Sequence, residues 1–218
     1  LVSEHEAKAI LASAGIPVTK EGLVGDADAA VALWRDIRGP VVLKIASPDI
    51  LHKTDIGGIL LNLETEDAVR DGYATLIQRA AQAAPDARID GVIVAEMIFG
   101  GIETVMGVVN DPVFGPAVMF GLGGVFVEVL KDVTFRLVPF GVDEAHRMID
   151  EIQGRAMLDG ARGASPVDID ALADGLARLS VFAAEYADVI ETIDVNPFLA
   201  LPKGAVAADA LIVPKTGV

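Results

Sequence analysis

The sequence contains no cysteine, which excludes thiolate catalysis, and its three histidines are too scattered to suggest a histidine metal site. His52 opens the segment His52-Lys53-Thr54-Asp55, which is followed by Gly57-Gly58. An imidazole can attack phosphorus and form a covalent intermediate. Adjacent glycines let the backbone approach a phosphate closely. A histidine in a polar loop is more often solvated or structural, so residue type alone leaves both interpretations open.

Lys44 is a second candidate, because it lies inside the apolar stretch Val41 to Ile45. A buried ammonium group is costly unless an anion meets it, so this lysine is a candidate for binding phosphate. The alternative is a lysine at a strand edge whose ammonium group reaches water. The spacing does not decide between the two.

Hard oxygen donors gather near the end of the chain, at Asp194, Asn196 and Asp209. Carboxylate and amide oxygens suit Mg²⁺ that bridges polyphosphate oxygens. Asp194 and Asn196 are two positions apart in a predicted strand, so we expect both side chains on one face. Turn chemistry is the alternative, since aspartate and Asn-Pro pairs are common in turns.

Two further groups suit a nucleotide. Gly123 and Gly124 end an apolar strand, where glycines serve phosphates or a tight turn equally well. The pattern matches neither a P-loop nor a Rossmann fingerprint. Glu96 lies in an apolar strand whose end could pair with adenine through its backbone, and Glu103 could hold ribose hydroxyls. Glutamates at this separation are also common by chance.

Helices and strands, both plentiful in the predicted secondary structure, hold these residues in place. Helices are predicted from the Ser3-Glu6 capping box to Ala14, from Asp26 to Gly39-Pro40, from Thr65 to about Ala84, and over 143–152 and 168–186. Strands are predicted over 41–45, 57–63, 91–98 with 103–109 as its hairpin partner, 116–120, 125–130, 134–139, 189–195 and 204–210, with a turn at Asn196-Pro197. This mixture favours an α+β fold with mixed sheets.

Composition excludes several classes of function. The 218 residues are 52% hydrophobic and 22% charged, with a net charge of −15, which disfavours binding to nucleic acid or anionic membranes. We find no signal peptide and no apolar run long enough to span a membrane, so we expect a cytoplasmic protein. The chain opens on Leu1 instead of Met, so we expect a trimmed chain or part of a longer polypeptide.

The order of the motifs is more specific than any one of them. The segments VVLKIASPDILHKTDIGGI, VIVAEMIFGGIETVMGVVNDPVFGPAVMFGLGGVFVEVLKDVTFRLVP, GARG, IDVNPF and AADA follow one another in the sequence. This series closely resembles the ATP-grasp subunit or domain of NDP-forming acyl-CoA synthetases, of the ADP-forming acetate–CoA ligase type. The resemblance implies an ATP-grasp fold over 1–218, with two α+β lobes, about 1–95 and 96–218, whose mixed or antiparallel sheets clasp the nucleotide.

The resemblance also implies a ligase reaction, acyl-CoA + ADP + phosphate ⇌ carboxylic acid + CoA + ATP, through phosphohistidines. ATP or ADP and Mg²⁺ would be the cofactors. The implied roles are His52 as the phosphoryl carrier, Lys44 on the nucleotide phosphates, Glu96, Met97 and Ile98 as the adenine hinge, Glu103 on the ribose, Gly123, Gly124 and Arg162 near the phosphates, and Asn196 and Asp209 as metal ligands with Asp194 as a weaker candidate.

The resemblance implies a partner as well: a CoA-binding subunit or fused domain that carries a second phosphohistidine, in a hetero- or homo-oligomeric enzyme. We expect the loop 47–56 to be mobile, because it would carry phosphate between distant sites. An alternative is a non-catalytic regulatory module, as in acyl-CoA synthetase-like regions fused to protein acetyltransferases. The succinyl-CoA synthetase β chain ranks lower, because that family has a GGRGK-type loop where this sequence has HKTDIGG.

Overall fold

The computed structural model describes residues 2–50, 52–124, 131–163 and 165–215, apart from the side chain of Arg162. The predicted strand over 125–130 lies outside the described residues. The described α-helices are α1 (Glu4–Ser13), α2 (Ala27–Ile37), α3 (Glu66–Ala83), α4 (Val142–Asp150), α5 (Arg155–Leu158) and α6 (Ile169–Glu185). The described strands are β1 (Glu21–Val24), β2 (Val41–Ala46), β3 (Ile59–Leu63), β4 (Gly91–Glu96), β5 (Ile102–Asp111), β6 (Gly115–Leu122), β7 (Val133–Leu137), β8 (Ile190–Ala200), β9 (Ala205–Ala207) and β10 (Ala210–Pro214).

The chain folds into two compact units, a smaller one over 19–99 and a larger one over 1–18 and 100–218. This division differs from the predicted lobes 1–95 and 96–218, because the first residues belong to the larger unit. Two contacts account for the difference: α1 packs against β10, and Val18 forms a β-bridge with Ala207.

The smaller unit is an antiparallel sheet in the order β1-β4-β2-β3, with α2 and α3 packed against one face. Alternate residues of β2 and β4 form the core beneath these helices, including Val41, Leu43, Ile45, Val92 and Val94. The predicted helix caps are present: Asp26 accepts the Ala29 N–H and Thr65 accepts the Ala68 N–H.

The larger unit is an antiparallel sheet in the order β10-β8-β5-β6-β7, with β9 also paired to β8. One face packs against α4 and α6 in a core that includes Met106, Phe120, Val195 and Phe198. The Ser3–Glu6 capping box at α1 is confirmed. The α+β fold class with antiparallel sheets is therefore confirmed.

Two predicted connections are wrong. The strand that ends at Glu96 pairs with β1 and β2, whereas Ile102–Asp111 pairs with β6 and β8 in the other sheet, so the two do not form a hairpin. Asn196-Pro197 is not a turn, because β8 continues through it to Ala200. Asn196 and Pro197 together face the single residue Val105 on β5, and two residues opposite one form a β-bulge. Proline is tolerated at such bulges, so the Asn-Pro pair fits here as well as in a turn.

Candidate functional site

Lys44 lies on the face of the smaller sheet that is opposite α2 and α3. Leu43 and Ile45, its neighbours in β2, point into the helical core, and the alternation of a strand sends Lys44 to the other side. It is half-buried, and its register partners are Ile93 and Ile59. A lysine between two strands in the centre of a sheet is not at a strand edge, which favours the anion-binding interpretation.

His52 stands on a loop that leaves β2 and returns directly beside it. The Ile45 N–H donates to the Gly58 carbonyl at 2.9 Å, and Lys44 pairs with Ile59. The loop is therefore closed at its base next to Lys44, in the manner of an Ω-loop. His52 is exposed and begins the 3₁₀ turn Lys53–Ile56. Its imidazole is accessible to solvent.

Contacts on both sides of His52 fix the limits of this loop. Ile50 is buried in the core of the smaller unit, and the Asp49 carboxylate accepts the Arg88 N–H at 2.7 Å. Beyond the 3₁₀ turn, Gly57 has a φ of 63°, and its carbonyl accepts a hydrogen bond from Arg79 at 2.8 Å. Any movement of His52 would therefore pivot at Ile50 and at Gly57. The segment between these two residues is shorter than the predicted mobile loop, 47–56.

The predicted adenine hinge follows β4. The Glu96 N–H donates to the Lys20 carbonyl and the Met97 N–H donates to the Pro40 carbonyl, at 2.8 and 2.9 Å. The Glu96 carboxylate accepts the Lys20 N–H at 2.7 Å. These bonds already commit the N–H groups of Glu96 and Met97 to the fold. Ile98 is half-buried at the end of the segment.

The predicted metal ligands share the face of the larger sheet that is opposite its helices. Asp194 and Asn196 are exposed, while Ile193 before them and Val195 between them are buried, which confirms that the two side chains point to one face. Asp209 lies across from Asn196, and the Asn196 N–H donates to its carbonyl at 3.3 Å. Directly opposed residues of antiparallel strands present their side chains on the same face. Register therefore brings three hard-donor side chains together.

The donor chemistry of this face fits Mg²⁺. Among the residues that the structure describes, no group of three or more His, Cys, Asp or Glu side chains forms a metal cage. Mg²⁺ does not need such a cage, because it is held by one or two carboxylates together with waters and substrate phosphates. The Asp209 carboxylate accepts the Ala210 N–H at 2.7 Å, which orients it along its own strand. Although the Asp194 side chain is exposed, the surrounding protein partly desolvates its carboxyl group and raises the pKa above its ordinary value.

Glu103 and the two glycines adjoin this face. The Gly123 N–H donates to the Glu103 carbonyl at 2.7 Å, and a Cβ on Gly123 would lie 2.9 Å from Glu103 Cβ. A side chain at Gly123 would therefore displace Glu103. Gly124 has a φ of 59°, a conformation that glycine adopts without strain.

The backbone of Arg162 lies in the 3₁₀ turn Ala161–Gly163. Asp132, which the sequence did not indicate as important, supports the segment that precedes this turn. Asp132 is 5% exposed, and its carboxylate accepts the N–H groups of Gln153 and Gly154, both at 2.7 Å. A buried carboxylate needs such donors. The only indication of this role in the sequence is that the aspartate follows a glycine-rich stretch.

Lys8 was also missed. It lies on the buried stripe of α1 with Ala7 and Leu11, and it is 1% exposed. The signal is a lysine at a helix position where the helical period predicts an apolar side chain.

The predicted site residues form two sets. The smaller unit carries Lys44, His52 and Glu96 to Ile98, and the larger unit carries the others.

The sequence model of the ATP-grasp domain family matches residues 1–213. Among curated proteins, the β subunit of Acetate–CoA ligase [ADP-forming] I from Pyrococcus furiosus is 44% identical over 210 residues, which cover 96% of this chain and 90% of the relative. A dinucleotide-forming acetyl-coenzyme A synthetase 1 from Ca. Korarchaeum cryptofilum, solved with coenzyme A, Ca-AMPCP and HgCl+, is 44% identical with a TM-score of 0.93. That match covers 98% of this chain and 93% of that chain. The chain therefore belongs to the ATP-grasp domain family, among the ATP-grasp subunits and domains of ADP-forming acyl-CoA synthetases.

Two further findings bear on the complete enzyme. Acetate–CoA ligase [ADP-forming] I from Archaeoglobus fulgidus is 42% identical over 200 residues; these cover 92% of this chain but only 29% of the relative, so some relatives carry this domain within a longer chain. Another structure of the Ca. Korarchaeum cryptofilum enzyme holds coenzyme A and Mg-AMPPCP, with its phosphohistidine segment pointing towards the nucleotide binding site. Among the described residues of this chain, no helix has the length and apolar character needed to cross a bilayer.

Proposed function

We propose that this chain binds ATP or ADP with Mg²⁺ and exchanges a phosphoryl group between the nucleotide and His52, as the nucleotide-handling component of an ADP-forming acyl-CoA synthetase. One observation carries the assignment of His52: it is exposed on a loop that closes beside Lys44, a half-buried cation on a central strand. A nucleophile on a loop that closes next to a phosphate-binding cation supplies two of the parts that phosphoryl transfer requires.

In the direction of ATP synthesis, the P–N bond of phosphorylated His52 breaks as a P–O bond to the terminal phosphate of ADP forms. The electron pair of the P–N bond stays on the imidazole, and a proton on the other ring nitrogen makes the leaving group a neutral ring. Lys44 would bind the phosphates, and Asn196 and Asp209, with Asp194 as a weaker candidate, would hold Mg²⁺. The metal supplies positive charge that offsets the charge on the phosphate oxygens.

The remaining contacts would orient the nucleotide. Glu103 would accept hydrogen bonds from ribose hydroxyls, while Gly123, Gly124 and Arg162 would lie near the phosphates. Because the N–H groups of Glu96 and Met97 already donate within the protein, a base would be bound by the remaining backbone groups of 96–98, including those of Ile98. This refines the proposed hinge without changing its position.

The synthetase reaction needs a partner for CoA and the acyl group. We propose a CoA-binding subunit or fused domain that carries its own phosphohistidine, in a cytoplasmic enzyme. The relatives' names support a ligase over a regulatory module, since they describe ADP-forming ligases. Movement of the His52 loop between Ile50 and Gly57 would connect the two sites.

Isotope labelling tests the central assignment. We expect the complete enzyme to incorporate acid-labile ³²P from [γ-³²P]ATP into this chain in the presence of Mg²⁺, and a His52→Asn enzyme to incorporate none. His146→Asn is the matched control, because His146 lies on α4 in the larger unit, within 3.2 Å of Asp170. Label that persists in His52→Asn would refute the role of His52.

Nucleotide binding tests Lys44 separately. We expect Lys44→Met to weaken ADP binding about 10-fold or more, because hydrogen bonds to charged groups contribute about 1.5–3 kcal/mol. Lys20→Met, which removes an exposed lysine of the same unit, should bind ADP like the wild type. Calorimetric titration measures both, and equal affinities would remove Lys44 from the phosphate site.

A further inference from the structure

Lys8 is the most deeply buried charged side chain in the described chain, with 1% of its surface exposed. It lies on the stripe of α1 that faces β10, between Ala7 and Leu11, which are fully buried. Removing an ammonium group from water costs several kcal/mol unless protein groups compensate for the loss. An apolar side chain would fill this position at a lower cost. The lysine therefore calls for a reason beyond packing.

One contact of its ammonium group is with the backbone that carries a proposed metal ligand. Lys8 Nζ donates to the Ala208 carbonyl at 3.1 Å. Ala208 immediately precedes Asp209 in the short connection between β9 and β10. Lys8 thus reaches this connection from the helical side, while Asp209 presents its side chain on the opposite face of the sheet.

The same connection is held from β8 by two backbone hydrogen bonds. The Ala208 N–H donates to the Pro197 carbonyl at 3.0 Å, and the Asn196 N–H donates to the Asp209 carbonyl at 3.3 Å. These two bonds fix the connection at the bulge of β8 that contains Asn196. Lys8 supplies a third attachment, from a different element. Together the three determine where the Asp209 carboxylate lies relative to Asn196.

We propose that Lys8 is a positioning residue for divalent-cation binding: through the Ala208 carbonyl, its buried ammonium group sets the backbone from which Asp209 binds the metal. The proposal rests on the proposed function, because it requires Asp209 to be a ligand. Groups that orient metal ligands through hydrogen bonds contribute to metal binding although they do not touch the metal. Their loss typically lowers metal affinity about 10–100-fold.

Binding of Mn²⁺, a paramagnetic substitute for Mg²⁺, tests the proposal without any turnover. Free Mn²⁺ is measured by electron paramagnetic resonance as it is titrated into this chain with saturating AMPPCP. We expect Lys8→Met to raise the Mn²⁺ dissociation constant about 10-fold or more. Lys203→Met is the matched control: it removes an exposed lysine from the turn between β8 and β9 and should leave the constant unchanged.

Melting temperatures separate positioning from packing. A lysine with only a structural role would change the melting temperature of Lys8→Met and leave its Mn²⁺ dissociation constant within twofold of the wild-type value, which would overturn the proposal. If Lys8→Met fails to fold, Lys8→Leu removes the same donor, and the same comparison decides. Asp209→Asn separates a failure of the metal site from a failure of the role of Lys8. If it also binds Mn²⁺ normally, the metal site itself is wrong. If it alone binds weakly, only the role of Lys8 is wrong.

Discussion

His52 in the smaller unit stands on a loop, whereas Asp209 in the larger unit stands between two strands. The His52 loop is held at its two ends, by Ile50 in the core and by Gly57 against Arg79. Asp209 is held by strand register, by hydrogen bonds to β8 and by the contact of Lys8 with its neighbour. A group that carries phosphate has to move, and a group that binds a metal has to stay in place. The two kinds of support match the roles that we propose for His52 and Asp209.

The largest effect should follow loss of the carrier itself. We expect His52→Asn to lower synthetase turnover in the complete enzyme by about 10³-fold or more, because no other group would form the covalent intermediate. The free energy of unfolding should change by no more than about 0.5 kcal/mol, since the side chain is exposed. Steady-state kinetics and thermal melting measure the two quantities. Retained turnover would show that the loop carries no phosphate, and the contrast between a moving carrier and a fixed metal ligand would then not hold.

The sheet-borne ligands should differ from one another in strength. We expect Asp209→Asn to raise the Mg²⁺ concentration for half-maximal activity about 10–100-fold, and Asp194→Asn to raise it less. Because desolvation raises the pKa of Asp194, this carboxylate protonates at a higher pH than an ordinary aspartate. Its contribution should therefore be lost first as the pH falls. Mg²⁺ titrations at several pH values measure this, and a larger effect at Asp194 would reverse the ranking.

The base of the loop should be sensitive to added volume. A Cβ on Gly58 would lie 2.8 Å from Ile45 Cγ2 and 2.9 Å from the Lys53 carbonyl oxygen. We expect Gly58→Ala to destabilise the protein by about 1–3 kcal/mol through overpacking. Gly39→Ala is the control, because a Cβ there meets no atom within 4 Å. Urea unfolding of both variants measures the difference, and equal stabilities would show that the loop base yields to a side chain.

The smallest effect should come from the outer attachment of the loop. Arg79→Ala removes the donor to the Gly57 carbonyl and should cost about 0.5–1 kcal/mol locally. We expect faster trypsin cleavage after Lys53 and faster hydrogen exchange at Gly57 and Gly58. Gln82→Ala, an exposed position on the same helix, should change neither rate. Unchanged rates in Arg79→Ala would leave Ile50 and the strand pairing as the supports of the loop.

Much of the fold could be predicted because local signals agree with it. Ser3, Asp26 and Thr65 mark helix starts through side-chain caps that act within a few residues. Strand pairing is not local. The hairpin predicted for 91–98 and 103–109 was wrong because neighbouring segments entered different sheets, and adjacency in the sequence does not show which sheet a strand joins.

The site divides in the same way. The identity and order of Lys44, His52, Asn196 and Asp209 can be taken from the sequence, as can their resemblance to one family. The alternation of Asp194 and Asn196 also follows from the two-residue period of a strand. The roles assigned to these residues stay predictions until the variants are measured.

Residue types and local periods in the sequence are enough to establish which chemical groups are present and which of them share a strand face. Only the folded chain shows that Asp209 lies across from Asn196, that the His52 loop closes beside Lys44, and that the ammonium group of Lys8 supports Ala208. Each of these contacts joins residues from separate elements. Such contacts follow from how the elements pack, and the period of a single element does not encode them.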